Sequence, residues 1–304
     1  MSALANPPVT RRQQFAAAIE QINSMPGVQA ILQPLLSYLQ QPFESQDMQR
    51  IVDLISHDNS LAAQCLHMAN SPLFGRWQTI TSVRGAVVAL GLQRMREVAV
   101  SCCMLKLVPA EQGDSNPVVL WEHSLGCALL SRKLAKRIGV RDPEQMYLAG
   151  LLHDLGLMVN LQIAGDEFFS LLQRAQHEQR ALHELEEEVW GCTHCDTGSM
   201  LARNWNLTPI VSDVVKYHHH LSQLSDYRSS VALVSICDLL CRANGLGYGY
   251  PEHLTLDANS DLLGAMTEKW PLARSLNWLQ ISAELVSYLA DVRKLVSVLF
   301  RMPS

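Results

Sequence analysis

Apolar residues recur at steps of three and four along almost every segment of this chain, and no stretch alternates apolar and polar residues up to a hairpin turn. That periodicity restricts the fold class to all-α. The helix signals are local and repeated. Ile51, Leu54 and Ile55 share one face of Asp47–Ser56. Asp58, Asn59 or Ser60 can cap a helix through Ala69, which Asn70-Ser71-Pro72 ends. Ser82 caps a helix through Leu90 that Gly91 stops, and a helix from Gln93 to about Lys106 follows. The polar run Ala110–Pro117 reads as a linker. Beyond it, helices are expected from about Pro117 to Ile138, from Asp142-Pro143 to about Leu161, over Ala181–Trp190, from Thr208-Pro209 to His219, and over Arg228–Ala243. The last, Ser275–Phe300, carries Trp278, Ile281, Leu285, Leu289, Val292, Leu295, Val296 and Leu299 in one stripe. It either packs on the body of the protein or serves a homodimer.

Composition supports a large core. Of 304 residues, 48% are hydrophobic and 17% charged, which excludes a disordered chain. A net charge of −5 gives no reason to expect a nucleic-acid partner. The longest apolar stretches, such as Gly85–Leu92 and Val231–Ile236, fall short of the roughly 20 residues of a spanning helix. The opening MSALANPPVTRRQQ shows no secretion signal, so no membrane and a cytoplasmic location are expected. Eight cysteines on apolar segments read as reduced core thiols. A zinc knot of Cys192, Cys195, Cys237 and Cys241 is the less favoured reading.

The histidines need a different account. His123 lies in line with Leu120, Cys127, Leu130 and Leu134. His153 lies in line with Met146, Ala149, Gly150 and Leu157, with Asp154 beside it. Val211, Val214 and Val215 lead onto His218 and His219, and Val231, Val234 and Asp238 share a face with Cys241. A fifth segment, Thr193–Trp205, sets His194 in line with Gly198, Leu201 and Trp205. Seven inward ionisable groups without partners would cost several kcal/mol each. One or two shared transition-metal ions solve this, and imidazole with carboxylate suits Fe, Mn, Zn or Ni. An aspartate beside a histidine can bridge two ions, and two ions can activate water for attack on phosphorus.

The set His123…His153-Asp154…Asp238 resembles the signature of the HD superfamily of metal-dependent phosphohydrolases, and Ala149–Gly156 is close to that family's HD helix. His194 and the pair His218-His219 extend the resemblance to the HD-GYP cyclic-dinucleotide phosphodiesterases. Leu61 through Asn70-Ser71-Pro72-Leu73-Phe74, then Ile80 to Leu90-Gly91, resembles the HDOD family of bacterial signalling output domains. The resemblance implies an HD-type helical core packed against an N-terminal helical subdomain. On that reading residues 1–27 are an N-terminal extension. Residues 28–227 are the HDOD module, with an N-terminal subdomain over 28–110 and an HD-like core over 117–243 that runs past the module to Asp238. Residues 246–304 are a C-terminal helical segment.

Two functions follow from the resemblance. The first is a stand-alone signalling module that acts by binding other signalling proteins and retains a metal site. The alternative is a metal-dependent phosphohydrolase acting on a nucleotide or cyclic dinucleotide. There His123, His153, Asp154 and Asp238 would hold one ion, and Asp154, His194, His218 and His219 the other, with Asp154 as the catalytic candidate. Leu157 stands where HD-GYP enzymes carry a phosphate-binding lysine. Gly249-Tyr250-Pro251 follows Asp238 and not the histidine pair, so it is read as chance. The glutamates Glu184 and Glu186–Glu188 read as a solvated helix face. Arg132, Lys133, Lys136 and Arg137 read as an exposed stripe for phosphate or partner docking, with Arg94 and Arg96 as a smaller basic face.

Overall fold

The structure, a computed structural model, describes residues 11–25, 28–39, 47–74, 79–106, 117–222, 225–248 and 261–302. Every regular element among them is helical. The first half comprises α1 (Arg11–Ser24), a π-helical turn (Val28–Leu32), α2 (Gln33–Leu39), α3 (Met48–Ser56), α4 (Asn59–Ala69), a short 3-10 turn (Pro72–Phe74), α5 (Val83–Leu90) and α6 (Leu92–Leu105). Capping chemistry sets the boundaries. Asp47, Asp58 and Ser82 accept from the backbone N–H groups of Gln49, Leu61 and Gly85. Gly91, at φ 84°, both ends α5 and opens α6, a backbone conformation that side chains resist. Asn70 closes the segment after α4. Its amide donates to the carbonyls of Leu66 and Ile80, and its Oδ1 accepts from the Ile80 N–H at 2.8 Å.

The second half comprises α7 (Val118–Arg137), α8 (Pro143–Leu152), α9 (Leu155–Glu178), α10 (Leu182–Trp190), α11 (His194–Asn204), α12 (Pro209–Tyr217), α13 (Arg228–Ala243), α14 (Asp261–Lys269), a 3-10 turn (Pro271–Ser275) and α15 (Trp278–Arg301). Helix α7 is buried along most of its length and packs on α8, α13 and α15. Helix α9, kinked at Gly165, packs on α11, and α12 bridges α8, α11 and α13. The halves meet where α6 lies on α8, and α1 reaches across to α9 and α11. One continuous hydrophobic core results, running from Phe15 to Leu299.

Two expectations change. The helix expected from Asp142 to Leu161 is two, because the chain leaves helical geometry at Asp154 (φ −94°, ψ 22°). Pro143–Glu178 is apolar enough by composition to cross a membrane, yet most of it is buried and it is broken at this junction. It is a core segment. The basic stripe is not a uniformly exposed face. Arg132 is buried, pairs with Glu97 and lies 5.1 Å from the Tyr147 ring centre, while Lys133 and Arg137 both pair with Glu284 of α15. The aliphatic stripe of α15 from Ile281 to Leu299 is buried. The linker over 110–116 and Gly249-Tyr250-Pro251 lie outside the described residues.

Candidate metal centre

Five elements deliver the inward groups. His123 comes from the middle of α7, and His153 and Asp154 from the α8–α9 junction. His194 opens α11, His218 and His219 follow α12, and Asp238 lies in α13. The break at Asp154 has a geometric reason. Consecutive residues of a continuous helix point about 100° apart, whereas His153 and Asp154 both face the same centre. His123, His153, Asp154, His194, His218 and Asp238 are all at most 4% exposed.

The seven residues assemble as two groups joined by one carboxylate. In the first, His123 Nε2 is 3.0 Å from Asp238 Oδ1, and His153 Nε2 is 3.1 Å from Asp154 Oδ2. In the second, Asp154 Oδ1 lies 3.3 Å from His218 Nε2 and 3.5 Å from His194 Nε2, and His219 Nε2 lies 3.0 Å from His194 Nε2. Asp154 therefore offers one oxygen to each group, the arrangement a bridging ligand needs.

The outer hydrogen bonds decide what faces inward. His123 Nδ1 is 2.8 Å from the Leu246 carbonyl and His153 Nδ1 is 2.7 Å from the Gly150 carbonyl. His218 Nδ1 is 3.0 Å from the Val214 carbonyl, and His194 Nδ1 is 2.6 Å from Glu186 Oε2. A carbonyl or carboxylate only accepts, so each Nδ1 carries the proton and each Nε2 presents a lone pair. Those lone pairs face one another at 3.2 Å between His123 and His153 and at 3.4 Å between His194 and His218. Asp154 Oδ1 and Asp238 Oδ1 are also buried without a hydrogen-bond partner among the described residues. Donors turned toward one another repel, and a cation shared between them relieves that repulsion. The set fits a divalent metal on its own chemistry.

The electrostatics favour positive charge at this cluster, whether a proton or a metal ion carries it. Burial opposes charge on His194, but Glu186 beside it holds its pKa well above the ordinary value. Burial likewise opposes charge on His218, and Cys195 with Asp154 raises it to about 10. Asp238 is penalised by burial but held below the usual carboxylate range by Arg242, which donates to its Oδ2 at 2.6 Å, and by His123. The cluster is thus a place where positive charge is stabilised.

Several residues at the site escaped the sequence reading. Glu186 is fully buried and accepts from the His194 backbone N–H, from His194 Nδ1 and from Asn160. It hid in a run of glutamates whose other members are exposed. Tyr248 donates its hydroxyl to Asp154 Oδ2 and sets its ring edge-on to His123, with centroids 5.2 Å apart. Only its place beside the discounted Gly249-Tyr250-Pro251 could have flagged it. His183 stacks on His219 at 4.3 Å, and burial with its charged neighbours pushes its pKa down to about 3. Leu157 is buried in the core. Arg132, Lys133 and Lys136 instead line a separate cavity of about 320 Å³ with Arg94, Pro72 and Leu73, away from the histidines.

The two groups differ in access. In the first group Arg242 donates to the outer oxygen of Asp238, Oδ2, and Tyr248 donates to Asp154 Oδ2, the same oxygen that faces His153. The second borders a cleft of about 630 Å³ lined by His219, Cys195, His183, Tyr217, Lys216 and Arg180, among others.

Comparison with known proteins gives one consistent answer. The HDOD domain family model matches residues 25–221. An HDOD domain protein of unknown function from Geobacter sulfurreducens is 30% identical, with a TM-score of 0.78 over 96% of this chain and 99% of that one. A provisionally named phosphohydrolase from Shewanella amazonensis shares the fold at 18% identity, with a TM-score of 0.70 over 94% of this chain and 98% of that one. An uncharacterized protein of Treponema pallidum is 26% identical over 238 residues, which are 77% of this chain but 45% of the relative's length. With the family matched across most of the chain and a relative aligned over nearly its whole length, the chain belongs to the HDOD domain family.

Proposed function

We propose that this chain is a metal-binding signal-transduction module that acts by engaging other signalling proteins rather than by turnover. The observation that carries the reading is the closed first group. Its donors are turned inward as metal ligands, yet Arg242 donates to Asp238 Oδ2 and Tyr248 donates to Asp154 Oδ2, the oxygen that faces His153, so side chains of the protein itself already occupy two of its carboxylate oxygens. Such a centre can fix the α7–α8–α9–α13 junction and report metal occupancy to the surface. The test is elemental analysis of the full chain purified without chelators, beside Asp154→Ala. Bound transition metal in the wild type, with both metal content and thermal stability lowered in the variant, supports the reading. Unchanged metal content in the variant overturns it. In vivo crosslinking should then recover signalling proteins.

The second group favours a competing reading, a metal-dependent phosphohydrolase acting on a nucleotide or cyclic dinucleotide. The cleft beside His219 offers Lys216, and Arg180 already paired with Glu178 and Glu188, as cations in place of the family lysine that Leu157 replaces. Metal-reconstituted protein that hydrolyses a phosphodiester or phosphomonoester in a broad screen, with Asp154→Ala inactive, decides for it. No turnover in the same screen decides for the binding module.

A further inference from the structure

We propose that Cys195 is a ligand of the second ion, so that His194, Cys195, His218 and His219 form a three-imidazole, one-thiolate site selective for zinc-class ions. The assignment rests on the metal-centre reading and deepens it. The sequence reading placed Cys195 with small buried thiols, and most cysteines of the chain fit that description. Cys127, Cys237 and Cys241 are fully buried in the apolar core. Cys195 differs. Its Sγ lies 3.9 Å from His218 Nδ1 and 4.0 Å from His218 Nε2, and it borders the cleft.

The donor geometry matches a four-coordinate ion. One donor atom from each of His194, Cys195, His218 and His219 lies within 4.8 Å of all the others. Tetrahedral zinc with bonds of about 2.0–2.1 Å to nitrogen and about 2.3 Å to sulfur sets donor edges of roughly 3.4 Å for N···N and roughly 3.6 Å for N···S. The edges found are 3.0 and 3.4 Å for nitrogen pairs and 4.0 Å for sulfur to His218 Nε2. The backbone holds the donors in place. Thr193 and Asp196 form a capping box around the first turn of α11, which carries both His194 and Cys195. An independent feature points to the same spot. Asp154 Oδ1, in a residue only 4% exposed, has no hydrogen-bond partner among the described residues and faces His194 and His218.

A thiolate in this set has two consequences. It selects softer ions such as Zn(II) or Co(II) over Mn(II) or Mg(II). With the three imidazoles it fills a tetrahedral shell, so Asp154 Oδ1 faces this ion as a neighbouring negative charge and not as a fifth bond, the pattern of a closed structural site rather than one that keeps a water position. This gives the second ion the same character as the covered first group.

Cobalt(II) loaded into the full chain tests the assignment without any assay of activity. The wild type should show ligand-field bands in the visible and a sulfur-to-cobalt charge-transfer band in the near ultraviolet. Cys195→Ser should keep the visible bands, lose the ultraviolet band and bind cobalt roughly tenfold or more weakly. Cys192→Ser, three residues away, should keep both. Visible bands with no sulfur band in the wild type overturn the Cys195 assignment alone, as does a band that survives in Cys195→Ser. Failure of the wild type to take up cobalt overturns the metal-centre reading and this assignment together. The wild-type spectrum decides even where Cys195→Ser does not fold.

Discussion

At the scale of single residues, what distinguishes this centre is the hydrogen bond behind each ligand. Glu186 is the clearest case, because one carboxylate fixes both the backbone and the imidazole of His194. Its charge keeps the His194 proton on Nδ1 and strengthens the Nε2 lone pair. Glu186→Gln should leave the fold intact, since the amide oxygen can still accept from His194 and Asn160 can turn its own amide over to accept from the new NH2. Metal affinity should fall roughly 10–100-fold, measured by competition with a chelator; unchanged affinity would show that Glu186 only packs. The ligands themselves were legible because histidine and aspartate on an apolar stripe contradict the stripe. Glu186 was not, because a glutamate among glutamates looks solvated, and nothing local says that one of four turns inward. Arg242 was legible in principle, four residues after Asp238 on the same helix. Arg132 misled for the converse reason: its neighbours Lys133 and Arg137 do reach outward to Glu284, while it turns onto Glu97.

At the scale of elements, the sequence was most legible where a helix begins. Asp58, Ser82 and Asp142 all cap as their chemistry dictates. The α8–α9 break was invisible because the apolar period runs through it unbroken. What forces it is tertiary: two ligands on adjacent residues must reach one centre. The same junction explains a glycine. Gly156 in the first turn of α9 touches the start of α11, where a Cβ would overlap the His194 carbonyl oxygen and fall 2.7 Å from the Gly198 N. Backbone cannot yield as a flexible side chain does, so Gly156→Ala must push α9 and α11 apart. The expected loss is at the upper end of overpacking, about 3 kcal/mol or more, read as a lowered midpoint in chemical denaturation. Because the displaced helices carry Asp154 and His194, metal content should fall with it. A Gly156→Ala protein with wild-type stability would contradict the close approach.

At the scale of the whole molecule, the two halves are joined by side chains as well as by packing. Helix α15 lies along α7 and touches α4 and the Pro72–Phe74 turn, so it spans both halves. Its aliphatic stripe is consumed in that contact. Nearer the centre, Glu97 of α6 meets Arg132 of α7, and that pair makes global stability depend on pH. Burial pushes the Glu97 carboxyl up from 4.5 to about 7, with Arg132 pulling it partly back. Between those two values the folded chain keeps a proton that the unfolded chain has released. The folded state binds more protons there, so stability falls as pH rises through the window. The contribution is fully present below about pH 4.5 and lost by about pH 7. A tenfold change in proton affinity is worth roughly 1.4 kcal/mol, so the upper bound on this contribution is on the order of 3 kcal/mol. Glu97→Gln keeps an acceptor for Arg132 and cannot ionise. Urea denaturation of the two proteins from about pH 4.5 to about pH 7.5 should therefore show the wild type losing stability relative to the variant as pH rises. Parallel profiles would show that Arg132 keeps Glu97 ionised throughout, and that the junction between the halves is an ordinary buried ion pair.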